Sequence, residues 1–72
     1  MKRIIRNETE LAKAIKERRK ELEITQKELA SVCDLSLNGI SRIEVADSDI
    51  KLSTLLKMGK FLGFKVVLEM DE

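Results

Sequence analysis

The sequence predicts a mainly α-helical single domain of about four short helices followed by one short strand. Three observations lead there. Capping side chains stand just ahead of apolar residues at helical spacing in three places. Hydrophobic residues make up 43% of the chain but only two, Phe61 and Phe64, are aromatic, so the core has to be aliphatic, which suits helix packing. After Gly63 the apolar period shortens from that of a helix to that of a strand. A chain of 72 residues has room for one domain, residues 1–72. So small a domain needs close helix packing or a partner chain for stability.

The first helix begins at Asn7, an N-cap side chain, with Glu10 three residues on as its capping-box partner. Leu11, Ala14, Ile15 and Leu22 then share one face, while Lys13, Lys16, Arg18 and Lys20 occupy the others. The second start is the clearest: Thr25 is the N-cap, Glu28 completes the box, and Ile24 with Leu29 forms a hydrophobic staple. That helix runs to about Val32 or Cys33. A third starts at Ser36, with Leu35 and Ile40 at staple positions and Ile40 and Ile43 on one side, and ends at the polar break of residues 46–49. The fourth carries Leu52, Leu55, Leu56, Met58 and Leu62 and stops at Gly63, a natural left-handed residue; Lys51 ahead of it has no capping side chain. Finally, Phe64, Val66, Leu68 and Met70 alternate with Lys65, Val67 and Glu69, which predicts a strand over 64–70. A lone strand leaves its backbone groups unpaired. Its partner is either Arg3-Ile4-Ile5-Arg6 of the same chain or the same strand of a second chain; the second arrangement makes a homodimer and is preferred.

Composition narrows the function. With no histidine, no tyrosine and one cysteine, the chain lacks the nucleophile–base pairs and soft-metal sites of common enzymes, so no catalysis, metal or cofactor is expected. Asp47 and Asp49 sit in a polar connection and read as loop solvation rather than an acid/base pair. Cys33 reads as a small buried side chain rather than a redox sensor. A single cysteine fits a reducing compartment, and no apolar run reaches the length of a membrane span, so a cytoplasmic location without membrane contact is expected. The net charge of +1 hides an asymmetry: residues 1–27 hold nine Lys/Arg against five Asp/Glu, and residues 28–72 five against eight. The basic half suits either a polyanion or an evenly solvated surface.

Two capped helices whose N-caps lie 11 residues apart, joined by a turn of about three residues, form a helix-turn-helix signature with its core over residues 25–45. Ala30 is small where the helices approach, Ile40 and Ile43 plug the angle between them, and Asp34 falls where the chain turns sharply through a left-handed conformation. From Thr25-Gln26-Lys27-Glu28-Leu29-Ala30 through Ile40-Ser41-Arg42-Ile43-Glu44, the sequence resembles the lambda-repressor-like, or XRE, helix-turn-helix domains, over roughly residues 7–63. A narrower likeness, carried by Asn7-Glu8-Thr9-Glu10-Leu11-Ala12 and Gly63-Phe64-Lys65-Val66-Val67-Leu68, extends to HipB-type antitoxins. Asp34 in place of the usual turn glycine, and Gly39 inside the first turn of the recognition helix, depart from the pattern.

The resemblance implies a lambda-repressor-like bundle whose C-terminal strand pairs across a dimer, with Phe64, Val66, Leu68 and Met70 on the covered face. It implies an antitoxin that represses its own operon and holds a HipA-type serine/threonine kinase toxin inactive. The alternative is a stand-alone XRE-type repressor with DNA as its only partner; a third reading is an interaction module that has lost DNA binding. The chain ends at Glu72, directly after the strand, so no longer tail is expected to reach a toxin. For double-stranded operator DNA, Gln26 would meet a phosphate at the start of the second helix, or serve only as a good helix former. Lys13, Lys27 and Lys51 are candidate phosphate contacts, each also readable as plain solvated charge. Ser36, Leu37, Asn38, Ser41 and Arg42 face the major groove: asparagine suits adenine, arginine suits guanine or a phosphate, and Leu37 reaches a thymine methyl or packs at the helix start. Arg19 and Glu44 are implied to pair structurally, between the first helix and the end of the third.

Overall fold

The helices begin where side chains can accept from the open N–H groups of a first turn. The computed structural model describes residues 1–71 and contains α1 (Glu8–Glu21), α2 (Gln26–Val32), α3 (Leu37–Glu44) and α4 (Leu52–Leu62). Asn7 Oδ1 accepts from the Glu10 N–H at 2.9 Å, and Ser36 Oγ accepts from the Gly39 N–H at 2.9 Å. At α2 the box closes in both directions: Thr25 Oγ1 accepts from the Glu28 N–H and the Glu28 carboxylate from the Thr25 N–H, each at 3.0 Å. The Thr25 N–H first, and the Thr25 hydroxyl beside it, hold the Glu28 carboxyl below its usual pKa. The box expected around Asn7 is not closed, because the Glu10 carboxylate reaches one residue further back, to the Arg6 N–H at 2.6 Å. As its sequence suggested, α4 follows Lys51 at its N-cap without a side-chain cap. Acidic Glu8 and Glu10 open α1 and basic Arg18, Arg19 and Lys20 close it, each sign facing the favourable end of the helix dipole.

All four helices also stop by one device. After α1, α2 and α3 the residue beyond the C-cap turns left-handed: Glu23 at φ 56°, Asp34 at 55° and Ala46 at 58°. The N–H groups that follow close back on the last turn, Ile24 to the Arg19 carbonyl at 3.0 Å, Leu35 to Ala30 at 2.9 Å and Asp47 to Arg42 at 2.8 Å. The fourth stop uses Gly63 at φ 78°, where glycine carries no penalty. Left-handed backbone costs other residues roughly 1–2 kcal/mol. Each is followed by an N–H that closes on the helix it ends.

The core is aliphatic and sits between all four helices: Ile15, Leu29, Ala30, Cys33, Ile40, Ile43, Met58 and Leu62 are buried, with Leu11, Ile24, Leu35, Ile50, Leu55 and Phe64 packed against them. Burial pushes the Cys33 thiol above its usual pKa. The core face of α1 is the expected one at Leu11 and Ile15, with Ala12 and Arg19 buried beside them, but Leu22 is exposed. Leu22 is the C-cap, already outside the helical run, so the stripe ends at Arg19. At the end of α4, Gly59 is buried and its carbonyl accepts from both the Gly63 and Phe64 N–H groups, at 2.8 and 2.9 Å. A Cβ on Gly59 would lie 2.6 Å from the Phe64 carbonyl oxygen, so this close approach requires glycine. Arg18 locks the same corner by donating from Nε to the Leu62 carbonyl at 2.7 Å.

The expected strand is not formed within the single chain: among the described residues none is in a β-strand. Residues 3–6 lend the C-terminal segment no backbone hydrogen bonds. The two termini are joined by an exposed ion pair, Lys2 Nζ to Glu69 Oε2 at 3.4 Å. A strand exists only with a hydrogen-bonded neighbour, and the described residues supply none.

Candidate nucleic-acid interface

α2 and α3 are bolted together by a polar cluster on the inner side of α3. Glu44, the last residue of α3, is buried, and its carboxylate takes three bonds: Arg19 Nε at 2.6 Å, Arg19 Nη2 at 3.0 Å and the Gln26 amide at 3.0 Å. Arg19 spends a further donor, Nη1, on the Ile24 carbonyl at 2.7 Å. The Ser41 hydroxyl of α3 donates to the Gln26 carbonyl oxygen at 3.2 Å. Residues from α1, α2 and α3 are thus joined in one network, and among the described residues no buried side-chain polar atom lacks a partner. Burial raises the Glu44 carboxyl, yet the bonds from Arg19 and Gln26 and the charges of Arg19 and Lys16 outweigh it, leaving the group below its ordinary pKa.

With its underside anchored, α3 presents Ser36, Leu37, Asn38 and Arg42 to solvent; Leu37, an apolar side chain, is 52% exposed. Ser36 already accepts the Gly39 N–H, which leaves its hydroxyl proton to donate. Ser41 is half-buried and its proton is committed to Gln26. The Gln26 side chain faces inward to Glu44 and Ser41, which commits one of its two amide hydrogens and its carbonyl oxygen. Lys27, Lys13 and Lys51 are exposed. Arg42 does not extend freely: its Nη2 donates to the Asp47 carbonyl at 3.1 Å and its Nε stands 3.5 Å from Asp47 Oδ2.

The residues assigned to a dimer divide. Phe64 is half-buried against its own core, whereas Val66, Leu68 and Met70 are 46%, 80% and 73% exposed. Sequence reasoning did not single out Gln26 as the link between α2 and α3, nor Asp47 as a neighbour of Arg42. The second had a local signal, a carboxylate five residues after an arginine across a helix end. The first had none, since Gln26 and Glu44 are 18 residues apart.

The family model described as helix-turn-helix, HTH_3, matches residues 15–67. No curated protein matches the chain. Among solved structures it is similar to HipB with a serine-to-alanine change in an O2 20mer complex, at 28% identity and a TM-score of 0.82, covering 100% of each chain. It is similar also to a HipA–HipB–O2–O3 complex and a HipB–O4 20mer complex, each at 28% identity and a TM-score of 0.81, over 99% of this chain and 100% of the other.

Proposed function

The chain belongs to the helix-turn-helix family HTH_3, and from that premise we propose that it is a homodimeric, sequence-specific transcriptional repressor and the antitoxin of a HipBA-like operon. It binds its own operator and a serine/threonine kinase toxin of the HipA type. The observation that carries the reading is an exposed α3 face, Ser36-Leu37-Asn38 and Arg42, held rigid from beneath by Arg19, Glu44 and Gln26. Likeness over the whole chain to HipB in complexes with 20mers supports the DNA partner, and the HipA–HipB–O2–O3 complex supports the toxin. In this reading the recognition helix lies in the major groove, Asn38 and Arg42 address base edges, and Lys27 neutralises a phosphate. Dimerisation through residues 64–70 sets two such helices about 34–36 Å apart on a pseudo-palindrome. Val66, Leu68 and Met70 supply the shared apolar face, and Phe64 fixes the segment to its own domain.

The test separates base reading from phosphate binding. Asn38→Ala should cost about 1–3 kcal/mol on the preferred duplex and little on a scrambled one. Lys27→Ala should weaken both and lower the salt slope by about one ion. Equal losses on both duplexes for Asn38→Ala would refute reading through that residue. Co-purification with a HipA-type kinase tests the second partner.

A further inference from the structure

We propose that the Asp47 carboxylate is a positioning group for DNA recognition: added to the bond from the backbone carbonyl of the same residue, it holds the Arg42 guanidinium by one edge so that the other edge is presented for bidentate contact with guanine. The inference rests on the repressor reading above. It starts from three contacts between the same two residues. The Asp47 N–H closes the end of α3 on the Arg42 carbonyl at 2.8 Å. In return, Arg42 Nη2 donates to the Asp47 carbonyl at 3.1 Å, and Arg42 Nε lies 3.5 Å from the Asp47 carboxylate. Arginine has five N–H donors in a planar fork. The Asp47 carbonyl takes one Nη2 hydrogen and the carboxylate stands beside Nε as an ion pair, which leaves both Nη1 hydrogens and the second Nη2 hydrogen on the far edge. Those form the end-on fork that matches the O6 and N7 acceptors of guanine.

The anchor is stiff as well as charged. Asp47 follows Ala46, whose φ of 58° directs the chain back over the end of α3 and brings the Asp47 carbonyl under the guanidinium. In the free protein the pair is exposed, 53% for Arg42 and 73% for Asp47, and contributes little to stability. Against DNA the same pair loses water, and its main effect is to reduce the side-chain freedom that Arg42 surrenders on contact. A carboxylate so close to a phosphate backbone also repels DNA of any sequence. Removing it should therefore strengthen binding to random duplex while weakening choice, a combination that a merely electrostatic or structural role does not produce.

The experiment selects duplexes from a randomised pool with the wild-type protein, then measures affinity for the enriched sequence, for the same sequence with single base-pair changes, and for a scrambled duplex. Asp47→Ala and Asp47→Asn should lower the preference at one G·C pair on the order of tenfold and leave other positions unchanged. In an Arg42→Ala background the same Asp47 changes should have no effect on any preference. Wild-type discrimination that Asp47→Ala leaves intact, or a loss that persists in the Arg42→Ala background, overturns the inference alone. A wild-type protein that enriches no sequence refutes the repressor reading and this inference with it.

Discussion

Removing the Glu44 carboxylate should threaten the fold although the pair it breaks is polar. Its side chain is 1% exposed and that of Arg19 9%, and the carboxylate accepts from Arg19 twice and from Gln26 once. Glu44→Ala leaves the Arg19 charge buried with only the Ile24 carbonyl as partner, a loss of about 3–5 kcal/mol. At 0.05–0.15 kcal/mol per residue a domain of this size holds roughly 4–11 kcal/mol in all, so the alanine variant should be near its unfolding threshold. Glu44→Gln keeps one acceptor and loses the charge-assisted contact, about 1.5–3 kcal/mol, and should remain folded. Replacing both partners with apolar residues, Arg19→Met with Glu44→Leu, should cost less than Glu44→Ala. Urea unfolding followed by circular dichroism measures all three, at one fixed chain concentration because a dimer's stability depends on it. The pH dependence has a definite sign. The folded Glu44 pKa is depressed below its ordinary value of 4.5, so its stabilisation is complete above that value and is lost as pH falls through the folded pKa. The advantage of wild type over Glu44→Gln should therefore be constant near neutrality and shrink below 4.5. A loss under about 1 kcal/mol for Glu44→Ala would place the pair with exposed ion pairs and refute the reasoning.

Three further outcomes test the helix ends and the C-terminal segment. Ala46→Gly should stabilise by about 0.5–1 kcal/mol, since relief of the left-handed penalty exceeds the entropy glycine loses; a lowered midpoint in urea would contradict it. Gly59→Ala should destabilise by at least about 1–3 kcal/mol, because the added methyl meets the Phe64 carbonyl oxygen at 2.6 Å, and thermal unfolding should show the loss. Deleting residues 65–72 while retaining Phe64 should yield monomers by sedimentation equilibrium with the helical signal preserved; a deletion protein that stays dimeric would sink the assignment of dimerisation to this segment.

The local features of this protein were legible in order along the chain. Asn7, Thr25 and Ser36 cap α1, α2 and α3, Asp34 turns left-handed, and Gly63 ends α4, because caps and turns are decided by a side chain and backbone groups within three or four residues of it. The buried Ile40, Ile43, Met58 and Leu62 followed from helical period for the same reason. The helix-turn-helix spacing was visible too, as two such local starts 11 residues apart. What periodicity misjudged lay at the edges of elements: Leu22 fits the stripe of α1 but falls past its last turn, and Glu10 reaches Arg6 rather than Asn7. Only the tertiary structure decided the partners of Gln26, whose amide has equal claim on solvent, phosphate or protein until α3 is packed beside it. The same holds for the strand. An alternating sequence specifies which face of 64–70 is apolar, but a strand takes its hydrogen bonds from a neighbour, and the described residues of one chain do not provide one.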